Sequence, residues 1–176
     1  MTYRLLTLAQ QLDQATMRQV FTHTSWAPDR VHSYERLEFL GDSVLSLCVT
    51  TELYRRFPDF AEGHLARLRA YVVSRATCAR VAGKLGLGKL LRQYAGSGGD
   101  STDAAQLQSN QNVLADLTES LIGAVYLTFG YEAVRQVAVD ANWSALRFRH
   151  VDRIGSLTRD SSRALSQRGR DRLSER

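Results

Sequence analysis

The chain has 176 residues, 44% of them hydrophobic and 23% charged, which allows one globular domain with a sizeable core and excludes a disordered chain. Its 23 Lys and Arg against 18 Asp and Glu leave a charge of +5, an excess that suits a polyanionic partner without identifying one. Cys48 and Cys78 have neither the density nor the spacing of a disulfide framework or zinc site and read as reduced core thiols. Charge interrupts the apolar runs well before the ~20 residues needed to cross a bilayer. The first residues lack a signal-peptide layout, so the expectation is a cytoplasmic protein with no membrane segment.

The pattern predicts a mostly helical chain with only two prolines, Pro28 and Pro58. Residues 4–12 read as a short amphipathic helix and Met17 to Thr24 as a second, ended by the turn Ser25-Trp26-Ala27-Pro28-Asp29. Residues 29–34 follow as a connecting loop. From Tyr34 to Phe57 a stripe of Leu37, Leu40, Val44, Leu47 and Leu53 predicts a central helix, expected to be the most buried element. Residues 62–83 give one further helix, with Leu65, Leu68, Val72, Ala76 and Ala79 on its apolar face, and a short helix at 89–94 follows the Gly83 to Gly88 break. Residues 96–112 carry no Lys or Arg and almost no apolar side chain, the composition of a mobile loop. Val113 to Thr128 form the most apolar helix, ended at Phe129-Gly130, and 131–148 a last one with Val134, Val137, Trp143 and Leu146. The organisation expected is a domain over 1–150 and a loosely ordered Arg-rich tail over 151–176.

Acidic residues form the most unusual feature. Glu35, Glu38 and Asp42 recur at spacings of three and four, which stacks three carboxylates on one helix face. Asp116 and Glu119 lie three apart on the otherwise apolar run from Val113 to Ala124. Like charges so placed repel, and three arrangements relieve them: a solvated face, salt bridges to residues such as Arg36 and Arg69, or a hard cation. If two helices bring both clusters together, Mg²⁺ held by those oxygens would activate water for phosphodiester hydrolysis. Gly41 and Gly123 would let the helices approach closely beside the acids. No Ser-His-Asp or Cys-His set competes; His23 beside Trp26 reads as a packing residue.

The run Glu35-Arg36-Leu37-Glu38-Phe39-Leu40-Gly41-Asp42-Ser43-Val44-Leu45 resembles the signature helix of the ribonuclease III family. The likeness extends upstream through Thr22-His23-Thr24-Ser25. Downstream it continues through Glu62-Gly63-His64-Leu65, Arg67-Leu68-Arg69-Ala70 and the segment Leu114 to Leu127, so it covers most of residues 5–148. The resemblance implies an all-α, dimeric endonuclease domain that cleaves double-stranded RNA with Mg²⁺, or Mn²⁺ as substitute, leaving 5′-phosphates and short 3′ overhangs. By position it implies that Glu38, Asp42, Asp116 and Glu119 are the catalytic metal-binding carboxylates, with Glu119 the ligand whose loss most damages chemistry. Glu35 and Glu62 match additional acidic positions in the cleft, and Phe39 a position at the homodimer interface. Arg67 and Arg69 are candidate RNA-binding residues, Arg69 with the better claim.

The chain departs from the family pattern in having Tyr34 where Asn is common and Thr128 where Asp is common, and in lacking basic residues at 96–112. Most bacterial relatives continue into a double-stranded-RNA-binding domain, so the expectation includes a separate RNA-binding partner and ribosomal precursors as substrates. Two other functions stand beside the nuclease: a non-catalytic RNA-binding or scaffold relative, and a hydrolase of a small phosphorylated metabolite.

Overall fold

A computed structural model describes residues 3–95 and 101–140, all within one compact unit, Met1–Trp143. The elements are α1 (Tyr3–Ala9), α2 (Gln14–Val20), a 3₁₀ turn (Arg30–His32), α3 (Glu35–Arg56), α4 (Glu62–Val72), α5 (Arg75–Leu85), α6 (Leu87–Ala95), α7 (Ser101–Leu107) and α8 (Gln111–Asp140). No strand occurs among the described residues, and the all-α expectation holds. Residues 96–100 of the expected loop, Trp143 and Leu146 of the expected last helix, and the Arg-rich tail lie outside the described residues.

The core is built around α8. From Val113 to Val125 every residue except the half-buried Asp116 is buried, because α8 is packed by α3 on one side and α5 on another. This corrects the expectation that the helix opening near Tyr34 is the most buried. By length and composition α8 could cross a membrane, yet 67% of its apolar window is covered by the rest of the unit. It is a core helix enclosed on several faces, which explains its lack of an amphipathic stripe. Its continuity is broken at Gly130, whose φ of 78° and ψ of −178° suit glycine alone. The expected stop at Phe129-Gly130 is therefore a kink between two helical segments.

Helix α3 forms where the sequence places it, but its buried face is rotated. Leu37, Gly41, Val44, Leu45, Cys48, Val49 and Leu53 are buried, while Leu47, assigned to the apolar stripe, is 55% exposed. α1 stops at Ala9 rather than 12 and α6 starts at Leu87 rather than 89, and three other elements differ more. α2 begins earlier because Asp13 caps it, its carboxylate accepting from the Thr16 backbone N–H at 2.9 Å. The single helix expected over 62–83 is two, because extended Ser74 (ψ 147°) ends α4 and caps α5 by accepting from the Thr77 N–H. Ala76 is consequently exposed. Within the expected loop, Ser101–Leu107 is helical; Ala104 is buried, and α7 packs against α6.

The α3–α8 crossing is a backbone-to-backbone contact. A Cβ on Gly41 would lie 1.8 Å from the Glu119 carbonyl oxygen, and one on Gly123 would lie 2.2 Å from that of Leu37. Both neighbours are main chain and cannot rotate away. Gly83, inside α5, has open space around it. Gly41→Ala and Gly123→Ala should each lower the unfolding free energy by about 1–3 kcal/mol through overpacking. Gly83→Ala should raise it by roughly 0.5–1 kcal/mol through helix propensity. Urea denaturation of the three variants reads out both signs.

Candidate metal centre

The glycine crossing sets which side chains meet. Glu38 lies one turn before Gly41, and Glu119 one turn before Gly123. Glu38 and Asp42 therefore flank the contact on α3, and Asp116 and Glu119 approach them from α8. Ligand oxygens of Glu38, Asp116 and Glu119 come within 4.8 Å of one another, with Glu119 buried and the other two half-buried. Asp42 is exposed and outside that trio, although its charge acts on both glutamates.

The electrostatics follow from crowding acids against a core. Burial, then the charges of Asp42, Glu38 and Asp116, push the Glu119 carboxyl up to about 7. Burial and the Asp116 charge also raise Glu38. The Cys78 thiol, pushed up to about 12 chiefly by burial and then by the neighbouring Glu119 charge, stays protonated. Such a thiol is no nucleophile.

Two residues that the sequence reading did not select contact Asp116. The Arg75 guanidinium Nη1 lies 2.7 Å from Oδ1, and the buried Tyr34 hydroxyl donates to Oδ2 at 3.4 Å. Tyr34 is raised above its ordinary value by burial and the adjacent acids, so it remains a donor. His23 supports it from behind: its ring meets Tyr34 edge-on at 5.7 Å and Trp26 at 5.3 Å. His23 Nδ1 accepts from the Ser25 backbone N–H at 3.1 Å, and burial lowers its basicity. The cap motif Ser74-Arg75-Ala76-Thr77 is the sequence signal that could have ended α4 and placed Arg75 at the site.

The remaining candidates are outside the trio, although the Glu35 charge acts on Glu38. Glu35, in the first turn of α3, pairs with Arg30 at 3.1 Å. Glu62 is exposed in the first turn of α4, and Arg67 and Arg69 are exposed farther along that helix. Phe39 projects from α3 at 79% exposure, beside a groove of about 650 Å³ lined by Val31, Leu37, Leu40 and Leu127 among others. Both thiols are free and buried.

An all-oxygen donor set of three carboxylates, offset by the single charge of Arg75, fits a hard divalent cation. Without one, the raised Glu119 carboxyl makes the folded state bind more protons than the unfolded state between the ordinary value of 4.5 and about 7. Stability of the metal-free protein therefore falls as pH rises through that interval. Glu119→Gln should raise its melting temperature at pH 8, by roughly 2–4 °C per kcal/mol of relieved strain. The difference should shrink toward pH 4 in scanning calorimetry with a chelator present.

Comparison with known proteins agrees with this architecture. A family model described as ribonuclease-III-like matches residues 13–143. Ribonuclease 3 of Natranaerobius thermophilus is 42% identical over 147 residues, 82% of this chain and 62% of the relative. Ribonuclease 3 of Mycobacterium leprae is 49% identical over 121 residues, 66% of this chain and 49% of the relative. The chain thus spans about half to three-fifths of the length of these curated relatives. Among solved structures, the nuclease domain of ribonuclease III from Campylobacter jejuni, in a structure concerned with its dimer-forming region, superposes with a TM-score of 0.66 at 32% identity. The match covers 76% of this chain and 92% of that one. With the family model spanning most of the chain and the nuclease-domain fold shared, this protein belongs to the ribonuclease III family.

Proposed function

We propose that the protein is a Mg²⁺-dependent endoribonuclease that hydrolyses phosphodiesters of double-stranded RNA, leaving 5′-phosphates and short 3′ overhangs. The observation that carries this reading is the convergence of Glu38, Asp116 and Glu119 within 4.8 Å in a chain of this family. Mg²⁺, or Mn²⁺ in its place, would supply Lewis-acid polarisation and an activated water when bound. Glu38, Asp116 and Glu119 would hold it, with Asp42 adding charge at the open side. Glu119, its carboxyl at about 7, gives up its proton on loading, so occupancy should increase with pH near neutrality. Tyr34 orients Asp116 by a hydrogen bond. Glu35 and Glu62 are the additional acids of the cleft.

The same reading assigns Phe39 to a homodimer interface. A side chain so large and so exposed, next to an apolar groove on its own surface, suits a two-fold contact in which each Phe39 enters its partner's groove. A dimer supplies one acidic centre for each strand of a duplex, which accounts for staggered cuts. Binding would rest on A-form shape and phosphate contacts, with Arg67 and Arg69 as candidates. Ribosomal precursors are the proposed substrates, in the cytoplasm.

Purified protein should cut a long RNA duplex with Mg²⁺ and leave it intact with EDTA, and should spare single-stranded RNA of the same sequence. Glu119→Gln should keep fold and dimer while losing at least about 100-fold in cleavage rate, a barrier increase near 2.7 kcal/mol. Duplex binding without cleavage under every metal condition would instead indicate a scaffold. Phe39→Asp should shift the sedimentation coefficient to that of a monomer; an unchanged dimer would remove Phe39 from the interface.

A further inference from the structure

We propose that Arg75 is a displaceable counter-ion of the acidic trio, which competes with a divalent cation for Asp116 and so sets the affinity of the centre. The inference rests on the metal-binding reading above and adds to it a residue outside the carboxylate set. Arg75 Nη1 sits 2.7 Å from Asp116 Oδ1, and its positive charge also acts on Glu38. A cation taking Asp116 must share that oxygen with Arg75, displace it, or be confined to Oδ2, which already accepts from Tyr34 at 3.4 Å.

Local structure does not favour Arg75 where it is. It is the first residue of α5, directly after the Ser74 cap, and a cation at a helix N-terminus opposes the helix dipole. The acids across the gap on α8 and α3 offset that cost. Release is inexpensive, because the Arg75 side chain is 56% exposed while that of Asp116 is only 16% exposed. A guanidinium already half in water regains hydration by rotating outward, and an arriving divalent cation takes over compensation of the mostly buried Asp116 carboxylate. Asp116 stays in place, held by the core helix. The pair therefore has one fixed partner and one that can leave, as a device for exchanging one cation for another requires.

The deciding experiment is titration of the full chain with Mn²⁺ at pH 8 and constant ionic strength, with free Mn²⁺ measured by electron paramagnetic resonance, for wild type, Arg75→Ala, Arg75→Lys and Asp116→Asn. Arg75→Ala should bind Mn²⁺ about three- to tenfold more tightly, Arg75→Lys should stay near wild type, and Asp116→Asn should bind more weakly. In a chelator, Arg75→Ala should melt below wild type because the acids have lost their counter-ion, and saturating Mn²⁺ should raise its melting temperature by the larger increment. Equal or weaker binding by Arg75→Ala, with wild type still binding through Asp116, would overturn the counter-ion role and leave the metal centre standing. Failure of wild type and every variant to bind would overturn both.

Discussion

The structure depends on two helices touching main chain to main chain. At Gly41 and Gly123 the backbones of α3 and α8 approach so closely that a methyl group on either would enter the other's carbonyl. Dispersion between such surfaces is strong because no side chain holds the helices apart. The more specific consequence is electrostatic. Carboxylates one turn away on each helix are forced into a shared volume that they would avoid if the helices stood a side chain farther apart.

That constraint makes the site a strained region within a stable scaffold. Thirteen consecutive residues of α8, Val113 to Val125, are buried save Asp116, and this burial fixes the acids where desolvation, and after it mutual repulsion, raises Glu38 and Glu119. Hydrophobic burial along α8, at about 25 cal/mol per Å², offsets the cost of the acids. The acid cluster in turn attracts cations: Arg75 in the protein alone, and a divalent ion in the proposed reaction. Stability and chemistry are thus opposed at Glu119 and coupled through one helix crossing.

Surface chemistry is distributed to match. The acidic centre, the groove beside Phe39 and the exposed arginines of α4 all lie on or next to α3 and its neighbours, because α3 opens toward solvent on the face that α8 does not cover. One long helix therefore carries both an acidic edge and an apolar knob. A dimer built on the knob, as proposed above, would fix the spacing of its two acidic edges.

Much of this was legible in the residues themselves. The span of α3, the apolarity of α8, the break at Gly130 and the fitness of Gly41 and Gly123 as close-approach points all follow from periodicity and residue size, which are local properties, whereas the meeting of the two acidic clusters was a condition that the residues left open. The sequence by itself also narrowed the candidate ligands to Glu38, Asp42, Asp116 and Glu119, of which the structure gathers all but Asp42, since carboxylates set in apolar surroundings need a partner. Tertiary packing decided the rest. It made α8 the most buried helix, and it turned Leu47 outward because α8 covers the face through Gly41, Val44, Leu45 and Cys48. It held Ser101–Leu107 helical through Ala104 despite a composition typical of loops. Ser74 divided what read as one helix, and only that break and the position of α8 brought Arg75 to Asp116, 41 residues away. Periodicity reports which face of a helix is apolar. It carries no information about which distant helix will lie against that face, and distances between charges depend on that.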